Sequence, residues 1–163
     1  MSKLIYLSLG SNIGERVEHL KAAVTRLSEA GVRVLRASPL YETEPADYTA
    51  QRWFLNQVVE AETELFPHQL LAVTQRIERE LGRVRSVPKG PRTLDIDVLL
   101  YGKAVLCTER LEIPHPRVAE RRFVLAPLAD LAPELRHPVT GRTVREMLGA
   151  APEATVRRLT ELG

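Results

Sequence analysis

Apolar positions along this chain change period several times, and each change marks an element. Residues 3–9, KLIYLSL, read as a strand. Across 15–30, Leu20, Ala23, Val24 and Leu27 recur at i, i+3, i+4 and i+7, the stripe of an amphipathic helix. Gly31 is placed to end that helix as its C′ residue. Residues 32–43 alternate around Pro39 and read as an edge or bulged strand, because proline cannot donate to a ladder. Residues 55–64 read as the next strand. Pro67 suits the first turn of a second helix, whose stripe is Leu70, Val73, Ile77 and Leu81, with Gly82 closing it. An Asp-rich strand follows over 94–101. Beyond Ala104, Pro114, Pro116, Pro127, Pro133, Pro138 and Pro152 interrupt any long period. That tail is expected to be irregular, with short helices near 116–129 and 143–148.

The order β-α-β-β-α-β predicts an α+β fold of the ferredoxin-like kind. Its core is an antiparallel sheet with helices on one face, and the C-terminal extension packs on the same domain. No repeat, low-complexity tract or linker divides the chain, so 1–163 read as one domain. The connections 44–52 and 83–91 are long for this pattern, and long connections in compact domains often carry function.

Composition narrows the class. The chain has 163 residues, 44% hydrophobic and 27% charged, enough for a sizeable core. No apolar stretch approaches the roughly 18 residues of a membrane span. The N-terminal apolar run is short and alternating, unlike a signal peptide. Cys107 is the only cysteine, which points to a reducing cytoplasm and to a small buried or half-exposed hydrophobe rather than a nucleophile. A net charge of +2 is too small to argue for nucleic acid. Arginines nevertheless cluster at Arg83, Arg85 and Arg92, and again at Arg117, Arg121 and Arg122. Their forked side chains suit phosphate.

The chemistry concentrates in GPRTLDIDVLLYG, residues 90–102. On a strand, Asp95 and Asp97 point to the same side. Two carboxylates that close repel by about 3 kcal/mol at an effective dielectric of about 20. A divalent cation removes the penalty, and oxygen donors without a Cys or His pair favour Mg²⁺ over zinc. Arg92 stands in the turn feeding the strand, so metal and guanidinium together suit a polyphosphate. Gln75 and Glu78 share one helix face, and their spacing alone suggests an exposed surface. Phe54 beside Asn56 combines a stacking face with a paired donor and acceptor, which suits a flat heterocycle. His115 is held between two prolines and could reach a phosphate. The chain has no P-loop, no G-x-G-x-x-G, no G-x-S-x-G and no zinc spacing.

Together SLGSNIGER, LYETEP, FLNQVV, TQRIERELGRVR, GPRTLDID and IPHPRVAERRFVLAPLADLAP resemble the 6-hydroxymethyl-7,8-dihydropterin pyrophosphokinases of folate biosynthesis. The resemblance covers about residues 4–150. It implies a ferredoxin-like sandwich with additions, and transfer of pyrophosphate from ATP to the hydroxymethyl of the dihydropterin, with release of AMP. It implies two Mg²⁺ ions on Asp95 and Asp97, with Asp97 as proton acceptor or as activator of the hydroxyl through the metal. It places Gln75, Glu78, Arg85, Arg92, Val98, Arg110, His115 and Arg121 around ATP. Arg83, Arg85, Arg92 and Asp97 are the implied catalytic set, with Arg83 and Arg85 on a loop that closes over the phosphates. Thr43, Pro45, Phe54, Asn56, Asp95 and Phe123 are placed around the pterin, with Phe54 and Phe123 on its two faces. Some members have Tyr where this chain has Phe54, Trp where it has Lys89, and an aromatic residue where it has Pro116. The implied partners are the two small substrates, with no nucleic acid, membrane or obligate protein partner. A nucleic-acid-binding ferredoxin-like module is the competing class, and its sheet would have to bind phosphate across Asp95 and Asp97. A third reading is another Mg²⁺-dependent nucleotide transferase on the same fold.

Overall fold

The computed structural model describes residues 1–44, 52–82 and 94–159. Its first seven elements are β1 (Lys3–Ser11), α1 (Arg16–Glu29), β2 (Val32–Ala37), β3 (Tyr41–Thr43), β4 (Phe54–Thr63), α2 (Pro67–Glu80) and β5 (Asp95–Tyr101). A hairpin of β6 (Leu106–Cys107) and β7 (Glu112–Ile113) follows, then a 3-10 turn, α3 (Arg122–Leu131), α4 (Val144–Ala150) and β8 (Val156–Arg158). The main sheet runs β5-β1-β4-β3-β8, with β2 also on β4, and its pairings are antiparallel. With β2 and β3 counted as one broken strand, this is the expected βαββαβ order.

The helices form where the apolar stripes lie. Leu20, Ala23 and Leu27 of α1, and Leu70 and Ile77 of α2, are buried against Ile5, Leu7 and Leu9 of β1. Gly31 and Gly82 follow the two helices with φ of +91° and +84°, where a side chain would be strained. Gln69 Oε1 accepts the Phe66 N–H at 2.8 Å and satisfies one donor at the start of α2.

Three expectations need correction. Residues 32–43 are two strands, not one. The chain breaks at Ser38 and Pro39, where Ser38 exchanges hydrogen bonds with Val58: its N–H donates to the Val58 carbonyl at 2.9 Å and its Oγ accepts the Val58 N–H at 3.0 Å. The helices are also not confined to one face. Val124, Leu125 and Leu128 of α3 and Met147 of α4 form a second core with Tyr6, Val58 and Leu100, on the side of the sheet opposite α1 and α2. Cys107 is exposed: the hairpin that carries it packs on the first core through Leu106, Leu111 and Ile113, not through Cys107.

The second core contains a polar knot. Tyr6 Oη donates to Glu60 Oε2 at 2.6 Å, and Arg36 donates to both Glu60 oxygens at 3.0 and 2.8 Å. Arg36 also reaches the Leu131 carbonyl at 3.0 Å, so the knot holds the end of α3 to the sheet. The Arg36 hydrogen bonds hold the Glu60 carboxyl below its usual 4.5, against the opposing effect of burial. Burial and the Glu60 contact push the Tyr6 phenol up. A depressed carboxylate stabilises the fold above its unfolded value and loses that contribution as pH falls through its native value. Glu60→Gln is therefore expected to be less stable than the parent near neutrality, and to lose less stability below pH 4.5. Urea unfolding across pH 3 to 7 checks this.

Candidate active site

β5 is the outer strand of the sheet, and its register against β1 arranges the site. Gly10 pairs with Asp95 on one side and Asn56 on the other, and Asn56 pairs with Tyr41. Asp95, Gly10, Asn56 and Tyr41 thus form one row across four strands. Ser8 pairs with Asp97 and Val58 in a neighbouring row on the same face. Side chains alternate along a strand, so both aspartates face the α3 side of the sheet. Both are half-buried.

The row ends in a polar and aromatic cluster. Asn56 Nδ2 donates to Thr43 Oγ1 at 2.6 Å, and both residues are 4% exposed. Thr43 pairs with Phe54, which is half-buried on the same face. Gly10 forms the floor. A methyl group there would meet Asn56 Oδ1 at 3.0 Å and Phe54 Cδ1 at 3.9 Å. Phe123 stands in the first turn of α3, half-buried against the second core, with the Arg121 guanidinium 5.5 Å from its ring centroid. Gly10 is a site residue that sequence reasoning missed, having weighed it only against dinucleotide-binding patterns.

A cleft of about 310 Å³ opens along the outer edge of β5. One wall is Ile96, Asp97 and Val98, the other runs from Thr108 to Glu112 and includes Arg110, and His115 and Pro116 complete it. The volume lies at the lower end of the range for small-molecule sites. The edge is anchored at two points. Glu78 Oε2 accepts the Ile96 N–H at 2.7 Å, and the Leu99 carbonyl accepts the His115 N–H at 3.0 Å. Val98 lies between these anchors. Its side chain belongs to the core, so the part of it that faces the cleft is backbone. Val98 alternates with Ile96 and turns its N–H and C=O the same way, outward.

His115 Nδ1 accepts the Arg117 N–H at 3.1 Å, which leaves Nε2–H as a donor in the neutral ring. Burial lowers its pKa. The Asp97 charge opposes that shift, and Arg121 and Arg117 reinforce it.

The structure thus brings together Asp97, Val98, Arg110 and His115 at the cleft, and Thr43, Phe54, Asn56 and Asp95 along the row. Arg121 adjoins Phe123 and acts electrostatically on His115. Gln75 is half-buried on α2 and does not line the cleft. Glu78 departs from the exposed surface that its spacing suggested. It is 6% exposed, buried by its hydrogen bond to the β5 backbone. Pro45, Arg83, Arg85 and Arg92 lie outside the described residues, as does Lys89. Thr108, Glu109 and Glu112 at the cleft had no sequence signal, because two-residue strands carry no readable period.

Residues 6–133 match the family model described as 7,8-dihydro-6-hydroxymethylpterin-pyrophosphokinase, HPPK. The chain belongs to the HPPK family. It is 48% identical to the 2-amino-4-hydroxy-6-hydroxymethyldihydropteridine pyrophosphokinase of Methylorubrum extorquens, over 94% of this chain and 97% of that protein. It is 46% identical to the folic acid synthesis protein fol1 of Pneumocystis carinii over 88% of this chain, but spans only 19% of that much longer protein. A crystal structure of Plasmodium falciparum HPPK-DHPS with pterin and p-hydroxybenzoate superposes with a TM-score of 0.72, over 91% of this chain and 42% of that one. At 17% identity that likeness establishes a shared fold. Among the described residues, no helix is long and apolar enough to cross a membrane.

The Glu78 anchor gives a stability expectation. Glu78→Ala leaves the Ile96 N–H without its carboxylate acceptor at the buried foot of β5. A loss of about 1–3 kcal/mol is expected from chemical denaturation. Gln75→Ala, at a half-buried position on the same helix, is expected to cost much less.

Proposed function

We propose that this HPPK-family chain transfers the pyrophosphoryl group of ATP to 6-hydroxymethyl-7,8-dihydropterin, releasing AMP, in folate biosynthesis. One observation carries the reading. The Asp-x-Asp pair lies between two unlike sites, with Asp97 in the wall of the cleft and Asp95 in register with Gly10 and Asn56. A reaction joining a triphosphate to a flat heterocycle needs its acidic pair at that boundary.

The cleft suits the nucleotide. The outward backbone of Val98 offers a donor and an acceptor to the edge of a base. Arg110 and the Nε2–H of His115 supply donors to ribose or phosphate oxygens. Arg83, Arg85, Arg92 and Arg121 are proposed as the cations that meet the triphosphate. Gln75 and Glu78 are proposed near ATP, Glu78 by holding the edge of β5. The Thr43–Asn56 hydrogen bond fixes which way the amide points, and the Asn56 carbonyl stays available to the pterin edge. Phe54 and Phe123 offer the two stacking faces, and Pro45 is proposed beside them.

Asp95 and Asp97 fit Mg²⁺ by their chemistry. They are hard oxygen donors on one face of a strand. Among the described residues, no group of three or more His, Cys, Asp or Glu could enclose an ion. Asp95 and Asp97 would hold Mg²⁺, two ions in the proposed enzyme, and bound there the metal would supply positive charge against the phosphates. The protein's own contribution is alignment. The pterin hydroxyl is held in line with the β-phosphorus, its oxygen forms the new bond, and the bond from the β-phosphorus to the bridging oxygen of AMP breaks. The hydroxyl proton passes toward Asp97.

The decisive assay supplies ATP, Mg²⁺ and the hydroxymethyl dihydropterin and measures AMP. Formation of ADP, or no turnover with that pair, overturns the proposal. Asp97→Ala is expected to abolish turnover with little change in melting temperature, since its side chain belongs to neither core. Gly10→Ala is expected to raise the KM for the pterin about tenfold or more while leaving ATP binding near the parent value, because the added methyl occupies the floor beside Asn56.

A further inference from the structure

The two aromatic side chains assigned to the pterin stand on distant parts of the chain, on β4 and on α3. The segment 151–158 grips the immediate neighbour of each. At one end Arg122, next to Phe123, donates to the Ala151 carbonyl at 2.9 Å and to the Pro152 carbonyl at 3.3 Å. At the other end the Arg157 guanidinium lies 5.3 Å from the ring centroid of Trp53, next to Phe54.

The Trp53 end is held from several directions. Arg157 pairs with Glu42. Glu42 also accepts from Arg16 at 3.0 Å, and Arg16 donates to the Trp53 carbonyl at 2.9 Å. β8 itself pairs with β3, aligning Val156 with Thr43 and Arg158 with Tyr41, and Leu159 N–H reaches the Leu40 carbonyl at 2.8 Å. The segment therefore runs from the base of α3 to the strand that carries Thr43. It lies beyond residue 133, where the family match ends.

We propose that Arg157, with the segment 151–158 that carries it, is a positioning element that sets Phe54 relative to Phe123 and thereby tunes affinity for the pterin. The proposal rests on the reading of Phe54 and Phe123 as the pterin's stacking faces. Arg157 is 64% exposed along its side chain, and an ion pair so open to water adds little to global stability. Its geometry acts locally. A planar guanidinium over Trp53 and against Glu42 restricts the start of β4, where Phe54 stands. A role confined to covering the edge of β3 would leave the pterin site unchanged when Arg157 alone is replaced.

The test uses the whole chain, with Arg157→Ala and the milder Arg157→Lys. Trp53 is the only tryptophan, so acrylamide quenching of its fluorescence reports directly on whether the ring has been released. Pterin affinity is measured calorimetrically with 6-hydroxymethyl-7,8-dihydropterin in the presence of Mg²⁺ and a non-hydrolysable ATP analogue. Arg157→Ala is expected to raise quenching and to weaken pterin binding about tenfold, with affinity for the analogue alone within about twofold of the parent. Arg157→Lys keeps the charge without the planar fork and is expected to fall between. If the alanine variant does not fold, the lysine variant decides on the same readings. Unchanged pterin affinity despite a released Trp53 overturns the proposal, as does an equal loss of pterin and nucleotide binding. Phe54→Ala and Phe123→Ala separate the two levels. If neither weakens pterin binding, the reading of the site fails. If both do and the Arg157 variants do not, only the positioning role fails.

Discussion

The site depends on the register of β5 against β1. Because side chains alternate along a strand, a slip of one residue would send Asp95 and Asp97 into the α1–α2 core and bring Ile96 out to the site. The hydrophobic pattern forbids that slip. Ile96 and Val98 are 5% exposed on the core side, beside Leu7 and Leu9 of β1. Two further constraints act on the outer edge, where a terminal strand ordinarily presents unpaired backbone. Glu78 takes the Ile96 N–H and His115 gives its own N–H to Leu99, so the strand is held between the two aspartates and again just beyond Asp97. Between these anchors a length of edge stays open, and the cleft forms there.

The same register gives the sheet two unlike surfaces, a cleft at its edge and a polar row further in. Moving inward from β5, the row passes from a carboxylate to a residue with no side chain, then to a buried amide. Adjacent strands are about 4.8 Å apart, so Asp95 and Asn56 stand about 10 Å apart along the row, with the Gly10 gap between them. A flat ring can lie over that gap only because nothing projects from its floor. The second core sets the other boundary: α3 covers part of this face, and Phe123 in its first turn packs half-buried at the margin of that core. The Tyr6–Glu60–Arg36 knot and the hydrogen bond from Tyr41 to Asp130 tie the far end of α3 to the sheet. The Tyr41 phenol is pushed up to about 12 by burial and by that carboxylate, so it stays a donor across the physiological range.

Much of this was legible in the sequence where one local signal was enough. The stripes of α1 and α2 were read correctly because burial of one helix face repeats every turn. Gly31 and Gly82 marked the helix ends because the backbone there needs a positive φ. The acidic pair was visible because alternation alone puts i and i+2 on one side. Sequence reasoning fell short where the decisive partner is distant in the chain. Glu78 looked exposed because its helical neighbours are polar, and its actual partner is a backbone N–H 18 residues away. Residues 32–43 looked like one strand because the period survives the break, whereas the break is made by Ser38 bonding to Val58. β8 had no pattern to read, since three residues of strand are specified by the edge they meet, which is β3.

β3 links the C-terminal strand β8 to β4, which bears Asn56. β3 is only three residues long, and with β4 alone on one side its other edge would be open to water. β8 closes that edge, and in doing so brings Arg157 over Trp53 and Glu42. Glu42 is then shared by two arginines from opposite ends of the chain, Arg16 at the start of α1 and Arg157 near the C-terminus. The Arg157 hydrogen bond, helped by Arg16, holds its carboxyl below the usual range despite partial burial. A carboxylate clamped in this way restrains the strand that bears it, and the next residue on that strand is Thr43, the partner of Asn56. Arg16 and Arg157, far apart in the chain, thus converge on the short strand whose Thr43 holds the Asn56 amide.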